Sequence, residues 1–259
     1  MLLHPLLEQL RELRCMGMAQ ALEEQLQHHD LPLTFEERLS QIVERECCLR
    51  DNRRLTQRLK SATLKQSLAC VEDIDYRASR GLIRSVINTL SECQWIRDKH
   101  NLLLVGPTGT GKSYLACALS HKACLMGFNV RYVRLPQLLQ ELQVARGDGR
   151  YTKLMQQLAK IHVLILDDWG LAPLNDAQRR DLLELLDDRY QRSSTIVTSQ
   201  LPVKHWHDSI GDATLADAIL DRLVHNAHKI ELKGGSLRKR NAIDSQEQSL
   251  ETTSEVKKS

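Results

Sequence analysis

The stretch Gly106-Pro107-Thr108-Gly109-Thr110-Gly111-Lys112-Ser113 decides how the rest of the chain is read. It follows the apolar run 101–105 and opens the apolar-periodic segment 114–124, so the local order is strand, glycine loop, helix. That is the context a phosphate cradle needs. The glycines let successive backbone N–H groups turn inward on the phosphates, Lys112 reaches the β- and γ-phosphates, and the Ser113 hydroxyl holds Mg²⁺ at the positive end of a helix. The nucleotide-contacting set therefore runs from Gly106 through Pro107, Thr108, Gly109, Thr110, Gly111, Lys112 and Ser113 to Tyr114, and the cofactors expected are ATP and Mg²⁺. A glycine-rich turn that merely precedes Lys-Ser is the competing reading, and the full motif with both flanks outweighs it.

A second element turns binding into hydrolysis. Ile161-His162-Val163-Leu164-Ile165-Leu166 reads as a strand buried on both faces of a parallel sheet, and it runs into Asp167-Asp168. Open α/β sheets bind ligands outside the carboxyl ends of their strands, which is where these acids emerge. Asp167 is expected to support the Mg²⁺ held by Ser113, and Asp168 to orient and polarise the attacking water. A turn using both acids as cap and solvent anchor is the bland alternative.

The bulk properties set the frame. A chain of 259 residues has room for one main domain and one accessory domain. Aromatic content is only 4%, which suits layers packed through Leu, Ile, Val and Ala. The net charge of +3 is too small to imply nucleic acid, so that argument must come from local clusters. Seven cysteines, at 15, 47, 48, 70, 93, 117 and 124, lack metal-ligand spacing and read as reduced, mostly buried thiols. The start MLLHPLLEQLRELR is broken by His, Pro, Glu and Arg, so it is neither a signal h-region nor a spanning helix, and a cytoplasmic protein with no membrane partner is expected.

Apolar residues recur at helical spacing at Leu3, Leu6, Leu7, Leu10 and Leu13, and again at Phe35, Leu39, Ile42 and Val43. A small all-α domain is expected over 1–70. Its second helix carries Arg45, Arg50, Arg53, Arg54, Arg58, Lys60 and Lys65, a run that is either a solvated face or a phosphate- or partner-contacting surface. From 71 to 241 strand-like and helix-like units alternate at 101–105, 113–125, 129–134, 136–146 and 161–166, which predicts βαβ units with a parallel sheet. Segment 136–160 looks like an inserted helix–turn–helix, broken at Gly147-Asp148-Gly149. Further helices are expected at 176–191 and 213–227 with a strand at 195–198, and 242–259 reads as a polar disordered tail.

Phosphate loop, Asp-Asp strand end, Thr198-Ser199-Gln200, Asp221-Arg222-Leu223 and Gly234-Gly235-Ser236-Leu237-Arg238 follow the order used by AAA+ ATPases. Together with Asp73-Ile74-Asp75-Tyr76-Arg77-Ala78-Ser79-Arg80-Gly81-Leu82, LDDWGLAPL, TSQLPVKHWHDSIGD and ADAILDRLVHNAHKIELKGGSLRKR, they make the chain resemble the IstB-type transposition helper ATPases of bacterial insertion sequences. These are relatives of the DnaC helicase loaders and of DnaA. The resemblance is strong over about 70 to 240 and looser over the N-terminal helices. It implies an AAA+ P-loop NTPase fold, a three-layer α/β arrangement around a parallel sheet, with an inserted helical DNA-contacting element. It also implies that Gln200 sits at the sensor 1 position, where relatives often carry Asn. Arg222 matches the arginine finger offered to a neighbouring subunit, and Arg238 matches sensor 2. Arg189 is the runner-up finger, with local ion pairing beside Asp187-Asp188 as its expected fate.

Basic residues accompany the inserted element: Arg131, Arg134, Arg146, Arg150, Lys153 and Lys160, against Glu141 and Asp148 as the only acids from 131 to 160. Arg53, Arg54, Arg58, Arg146, Arg150 and Lys153 are the candidate DNA contacts, tracking the backbone of duplex DNA without reading bases; an unliganded solvated surface is the alternative. The reading that results is a DNA-stimulated ATPase that self-assembles on duplex DNA as a homo-oligomer, selects or remodels the target, and recruits and stimulates a partner transposase. A DnaC-like helicase loader is the alternative function. A small-molecule kinase is disfavoured by the paired Asp and the Arg222–Arg238 spacing, and a protein unfoldase by the lack of a pore loop beyond a weak candidate at Tyr151.

Overall fold

A computed structural model describes residues 3–27, 33–76 and 81–235 of the chain. Arg238, the segment Arg77-Ala78-Ser79-Arg80 and the expected tail 242–259 lie outside the described residues. Two compact units emerge, Met1–Gln57 and Arg58–Ser259, so the division falls inside a helix rather than at 70.

The first unit is helical: α1 (Leu3–Glu12), α2 (Met16–Gln27) and the larger part of α3 (Phe35–Ala62). The basic run from Arg45 to Lys60 thus sits on a third helix, not a second, and Lys65 follows its end. The packing of α2 on α3 follows from one small residue and one carboxylate. A Cβ at Gly17 would stand 2.7 Å from the Glu46 Cα, so only glycine lets the two backbones come this close. There Glu46 accepts from the Gly17 and Met18 amides at 2.6 and 3.2 Å, satisfying two donors at the start of α2. Burial pushes the Glu46 carboxyl up, but Arg50 and those amides outweigh it and hold it below the usual range.

The second unit is a layered α/β domain. Helices α4 (Arg84–Ser91) and α5 (Gln94–Arg97) precede β1 (Asn101–Val105), α6 (Lys112–Leu125), β2 (Val130–Arg134), α7 (Leu135–Gly147), α8 (Tyr151–Ala159) and β3 (Val163–Trp169). Then come α9 (Asp176–Arg189), β4 (Ser194–Ser199), a 3₁₀ turn at Val203–His205, α10 (Trp206–Ile210), α11 (Ala213–Val224) and β5 (Ala227–Glu231). The five strands are parallel in the order β2-β3-β4-β1-β5. Every residue of β1 and β4 is buried, as a central strand with helices on both faces requires. At the edge, β5 buries only Ile230, which is why Ala227-His228-Lys229-Ile230-Glu231 does not read as a strand in sequence.

The inserted pair α7 and α8 breaks after Gly147 as expected and packs Leu138, Leu142, Leu154 and Leu158 into the core. Helix α9 starts with a reciprocal capping box between Asn175 and Gln178, an arrangement that contributes about 1 kcal/mol. Trp169 is a core anchor, its ring centroid 5.1 Å from that of Trp206. The cysteines depart from expectation. Only Cys93, Cys117 and Cys124 are buried, while Cys47 and Cys48 lie exposed on α3 and all seven are free.

Candidate functional site

The phosphate loop leaves the carboxyl end of β1 and enters α6 through Gly111, which occupies the N-cap position at φ 91°. At its other end Gly106 has φ 147°, and a Cβ there would stand 2.2 Å from the Leu232 carbonyl oxygen. Leu232 is itself fixed by donating its N–H to Val105 O at 2.8 Å, so any side chain at 106 must break the junction of β1 with the segment after β5. Lys112 is buried. Its Nζ donates to the carbonyls of Gly106 and Pro107 at 2.7 and 2.8 Å, which fastens the loop on itself.

Asp167 is the electrostatic centre of the cleft, at 1% exposure. Ser113 Oγ lies 3.0 and 3.1 Å from its two oxygens, Tyr132 OH and Thr198 Oγ1 also donate to it, and Lys65 Nζ approaches at 3.4 Å. Burial pushes this carboxyl up, yet the three hydroxyl donors and Lys65 together hold it below the usual carboxylate range. Burial and the same carboxylate push the Tyr132 phenol up.

Its neighbour is held differently. The pairing of β3 with β4 shifts register between Leu166 and Trp169, and Asp168 sits in that bulge at φ 66°, a left-handed conformation costly for a non-glycine residue. The strand therefore continues through the acid pair to Trp169, where sequence placed its end before them. Asp168 is turned toward Arg134, whose Nε donates to Oδ2 at 2.6 Å. Gln200, just past β4, accepts from Thr108 Oγ1 at 2.6 Å and so closes one wall. The result is a cleft of about 230 Å³ lined by Lys65, Lys112, Asp167, Asp168, Arg134 and Gln200 among others. Tyr114 donates its OH to the Cys70 carbonyl at 3.3 Å.

Ser113 and Asp167 are hard oxygen donors already within hydrogen-bond distance of each other. No group of three or more His, Cys, Asp or Glu suited to a metal occurs among the described residues. A divalent ion here would rest on one hydroxyl, one carboxylate and oxygens from its ligand, which is the pattern Mg²⁺ accepts with nucleotides.

Arg222 is far from this cleft in the sheet's topology. Its backbone carbonyl accepts from Asn101 Nδ2 at the amino end of β1, whereas the phosphate loop follows the carboxyl end. The guanidinium pairs with Asp187 on α9 and donates to Ala218 O at 2.7 Å, not with Asp217 or Asp221 on its own helix. Arg189 corrects a sequence expectation. Instead of a surface ion pair it is buried, donating to the carbonyls of Leu158, Ile161 and Ser194 and to Thr195 Oγ1. Burial pulls its pKa down to about 9, still charged at neutral pH. Tyr151 is no pore loop: its ring lies under Arg146, 3.7 Å from the guanidinium carbon, and its OH donates to Asp181 and Glu184.

The basic bias of 131–160 is largely neutralised. Arg131 pairs with Glu141 at 3.6 Å, Arg150 pairs with Asp148, and Arg146 pairs with the nearly buried Asp181 of α9. Counting acids within the segment missed Asp181, which comes from a helix that sequence cannot place beside α7. Lys153 and Arg53 are exposed and have no ion pair among the described residues; Arg54 is exposed beside Asp51 at 3.4 Å, and Arg58 Nε donates to the Cys124 carbonyl at 3.1 Å. Sequence reasoning also missed Tyr132, and it read Lys65 and Arg134 only as parts of basic runs. The visible signal for Tyr132 and Arg134 was their place on the strand paired with β3.

The chain is 51% identical over 240 residues to the insertion sequence ATP-binding protein y4pL of Sinorhizobium fredii, covering 92% of this chain and 98% of that one. It is 52% identical over 200 residues to the ATP-binding protein of insertion sequence IS1162 from Pseudomonas fluorescens, covering 76% and 85%. Among solved structures, the DnaC helicase loader superposes with a TM-score of 0.54 at 21% identity, over 64% of this chain and 97% of that chain, a likeness of fold. The family model described as IstB-like ATP binding protein matches residues 8–245, and the chain belongs to that family.

Proposed function

We propose that this protein is an ATP-hydrolysing AAA+ protein of an insertion sequence, which assembles on duplex DNA and there recruits and stimulates a partner transposase. The observation that carries the hydrolytic part is the convergence of Lys112, Ser113, Asp167, Asp168 and Gln200 on one cleft at the carboxyl ends of β1, β3 and β4. On nucleotide binding Lys112 exchanges the Gly106 and Pro107 carbonyls for phosphate oxygens, and the loop amides turn onto the same charge. Ser113 and Asp167 would hold Mg²⁺, which would supply positive charge against the phosphates. Asp168 orients the attacking water once Arg134 releases it, and Gln200 monitors the terminal phosphate from the opposite wall.

Arg222 completes the site of a neighbouring subunit. Its place at the amino edge of the sheet keeps it from its own phosphate loop and suits a cation delivered across an interface, the type of contribution worth up to about 10⁵ in rate. By resemblance Arg238 supplies the sensor 2 cation. The exposed Lys153, Arg53 and Arg54 are the foremost DNA contacts, with Arg146, Arg150 and Arg58 contributing only after leaving their present partners. The insertion-sequence names of the relatives support the transposase partnership. Phosphate release measured with and without duplex DNA, beside imaging of the protein on DNA under ATP and ADP, tests the reading. A filament or ring that forms on DNA with ATP and not with ADP is the expected result; nucleotide-independent binding of single subunits contradicts it.

A further inference from the structure

Lys65 belongs to none of the motifs of a phosphate-loop site, yet its ammonium pairs with the buried Asp167 at 3.4 Å. Its placement is built rather than incidental. Helix α3 ends at Ala62, which is fully buried, and Thr63 follows at φ 48°, a left-handed conformation that a β-branched residue avoids. Thr63 Oγ1 donates to the Tyr132 carbonyl at 3.2 Å, and Tyr132 in turn sends its OH to Asp167. Arg58 Nε anchors the last turn of the helix on the Cys124 carbonyl at the end of α6. Three consecutive devices thus turn the chain inward and bring Lys65 to the acid. Its side chain is 39% exposed, so it has room to withdraw along the cleft.

The position is the one a divalent cation needs. Asp167 is nearly sealed, accepts from Ser113, Tyr132 and Thr198, and has Lys65 as its counter-charge. A second cation bound between Ser113 and Asp167 would meet the ammonium as a like charge in a site with little water to screen it. We propose that Lys65 is a resident counter-cation of Asp167 that gives way when metal and nucleotide bind, so that filling the metal position loosens the segment after α3. This rests on the reading of Ser113 and Asp167 as the metal-holding pair. Without metal, Lys65 stabilises the buried carboxylate; with metal, the ammonium moves into the cleft toward the phosphates.

The test measures metal occupancy directly. Mn²⁺ binding to full-length protein is titrated by electron paramagnetic resonance in the presence of a non-hydrolysable ATP analogue, for wild type, Lys65→Met and Lys65→Arg. Circular dichroism and thermal melting confirm that each variant is folded. The proposal expects Lys65→Met to bind Mn²⁺ roughly tenfold more tightly than wild type, with Lys65→Arg close to wild type. Hydrogen exchange at 63–66 should rise on adding Mn²⁺ with the analogue to wild type. Equal or weaker Mn²⁺ binding by Lys65→Met, alongside normal wild-type binding, overturns the counter-cation role alone. Absence of Mn²⁺ binding in wild type overturns the metal-site reading as well, and unchanged exchange at 63–66 overturns the release of the segment. If Lys65→Met does not fold, Lys65→Gln replaces it in the same titration with the same expectation.

Discussion

Arg134 and Asp168 form an ion pair across the carboxyl ends of the neighbouring strands β2 and β3, with Nε donating to Oδ2 at 2.6 Å. Arg134 is also the residue from which α7 departs. The acid proposed to orient water is therefore held by the strand that leads into the helices proposed to lie near DNA. Freeing Asp168 by Arg134→Ala should raise DNA-independent hydrolysis by roughly fivefold and shrink the stimulation given by DNA. Phosphate release with and without duplex DNA reads both effects, and a uniform loss of activity in the variant would count against the holding role.

The two adjacent acids and the loop lysine have separable jobs. Asp168→Asn should leave ATP affinity within about twofold and lower turnover by about a hundredfold or more, whereas Lys112→Ala should weaken nucleotide binding itself. Fluorescent nucleotide titrations beside single-turnover hydrolysis separate the two. Equal loss of affinity in both variants would contradict the division of labour.

Gly106 admits no side chain. Gly106→Ala places a Cβ against the Leu232 carbonyl and at an unfavourable φ, so it should destabilise the fold by more than about 2 kcal/mol and abolish nucleotide binding. Gly127→Ala is the control, since its φ is also positive but its Cβ would meet nothing within 4 Å, and its cost should stay near about 1 kcal/mol. Denaturant melts compare them.

The basic face around α8 separates binding from stability. Arg146→Ala leaves the nearly buried Asp181 with the Tyr151 hydroxyl but no paired cation among the described residues, and strips the ring of Tyr151, and should cost about 1–2 kcal/mol after allowing for the half-exposed guanidinium. Lys153→Ala should cost almost no stability but reduce the slope of log affinity against log salt by about one unit. An unchanged slope in Lys153→Ala would move the DNA surface elsewhere.

The central strands and the phosphate loop were legible in the sequence because their patterns are local. The four consecutive apolar residues Leu102–Val105 before Gly106 and the four from Val163 to Leu166 before Asp167 are what a strand covered on both faces demands. The inserted pair α7 and α8 was legible for the same reason, with its break at Gly147-Asp148-Gly149. What escaped depends on partners distant in the chain. Ala227–Glu231 is a strand because β1 pairs with it, not because of its own pattern. Lys65 meets Asp167 only after the chain turns at Thr63, and Asp181 meets Arg146 only because α9 packs beside α7. Arg189 looked like a surface cation beside two acids, and three carbonyls that sequence cannot bring together bury it instead.

That last contrast sharpens the choice of arginine finger. Arg189→Met should orphan three buried carbonyls and cost about 3 kcal/mol, whereas Arg222→Ala, with a partly exposed guanidinium, should fold normally.

Completion of the site between subunits is open to the most direct test, because Arg222 lies at the amino end of β1 whereas its own phosphate loop follows the carboxyl end. Arg222→Ala and Lys112→Ala are each expected to be nearly inactive alone, the first binding ATP normally and the second poorly. Mixed on duplex DNA, they re-form interfaces that pair an intact loop with an intact arginine. Hydrolysis recovered toward about a quarter of the wild-type rate per subunit is the predicted result for random pairing of the two variants. Persistent inactivity in the mixture, with co-assembly verified by light scattering, would contradict the account.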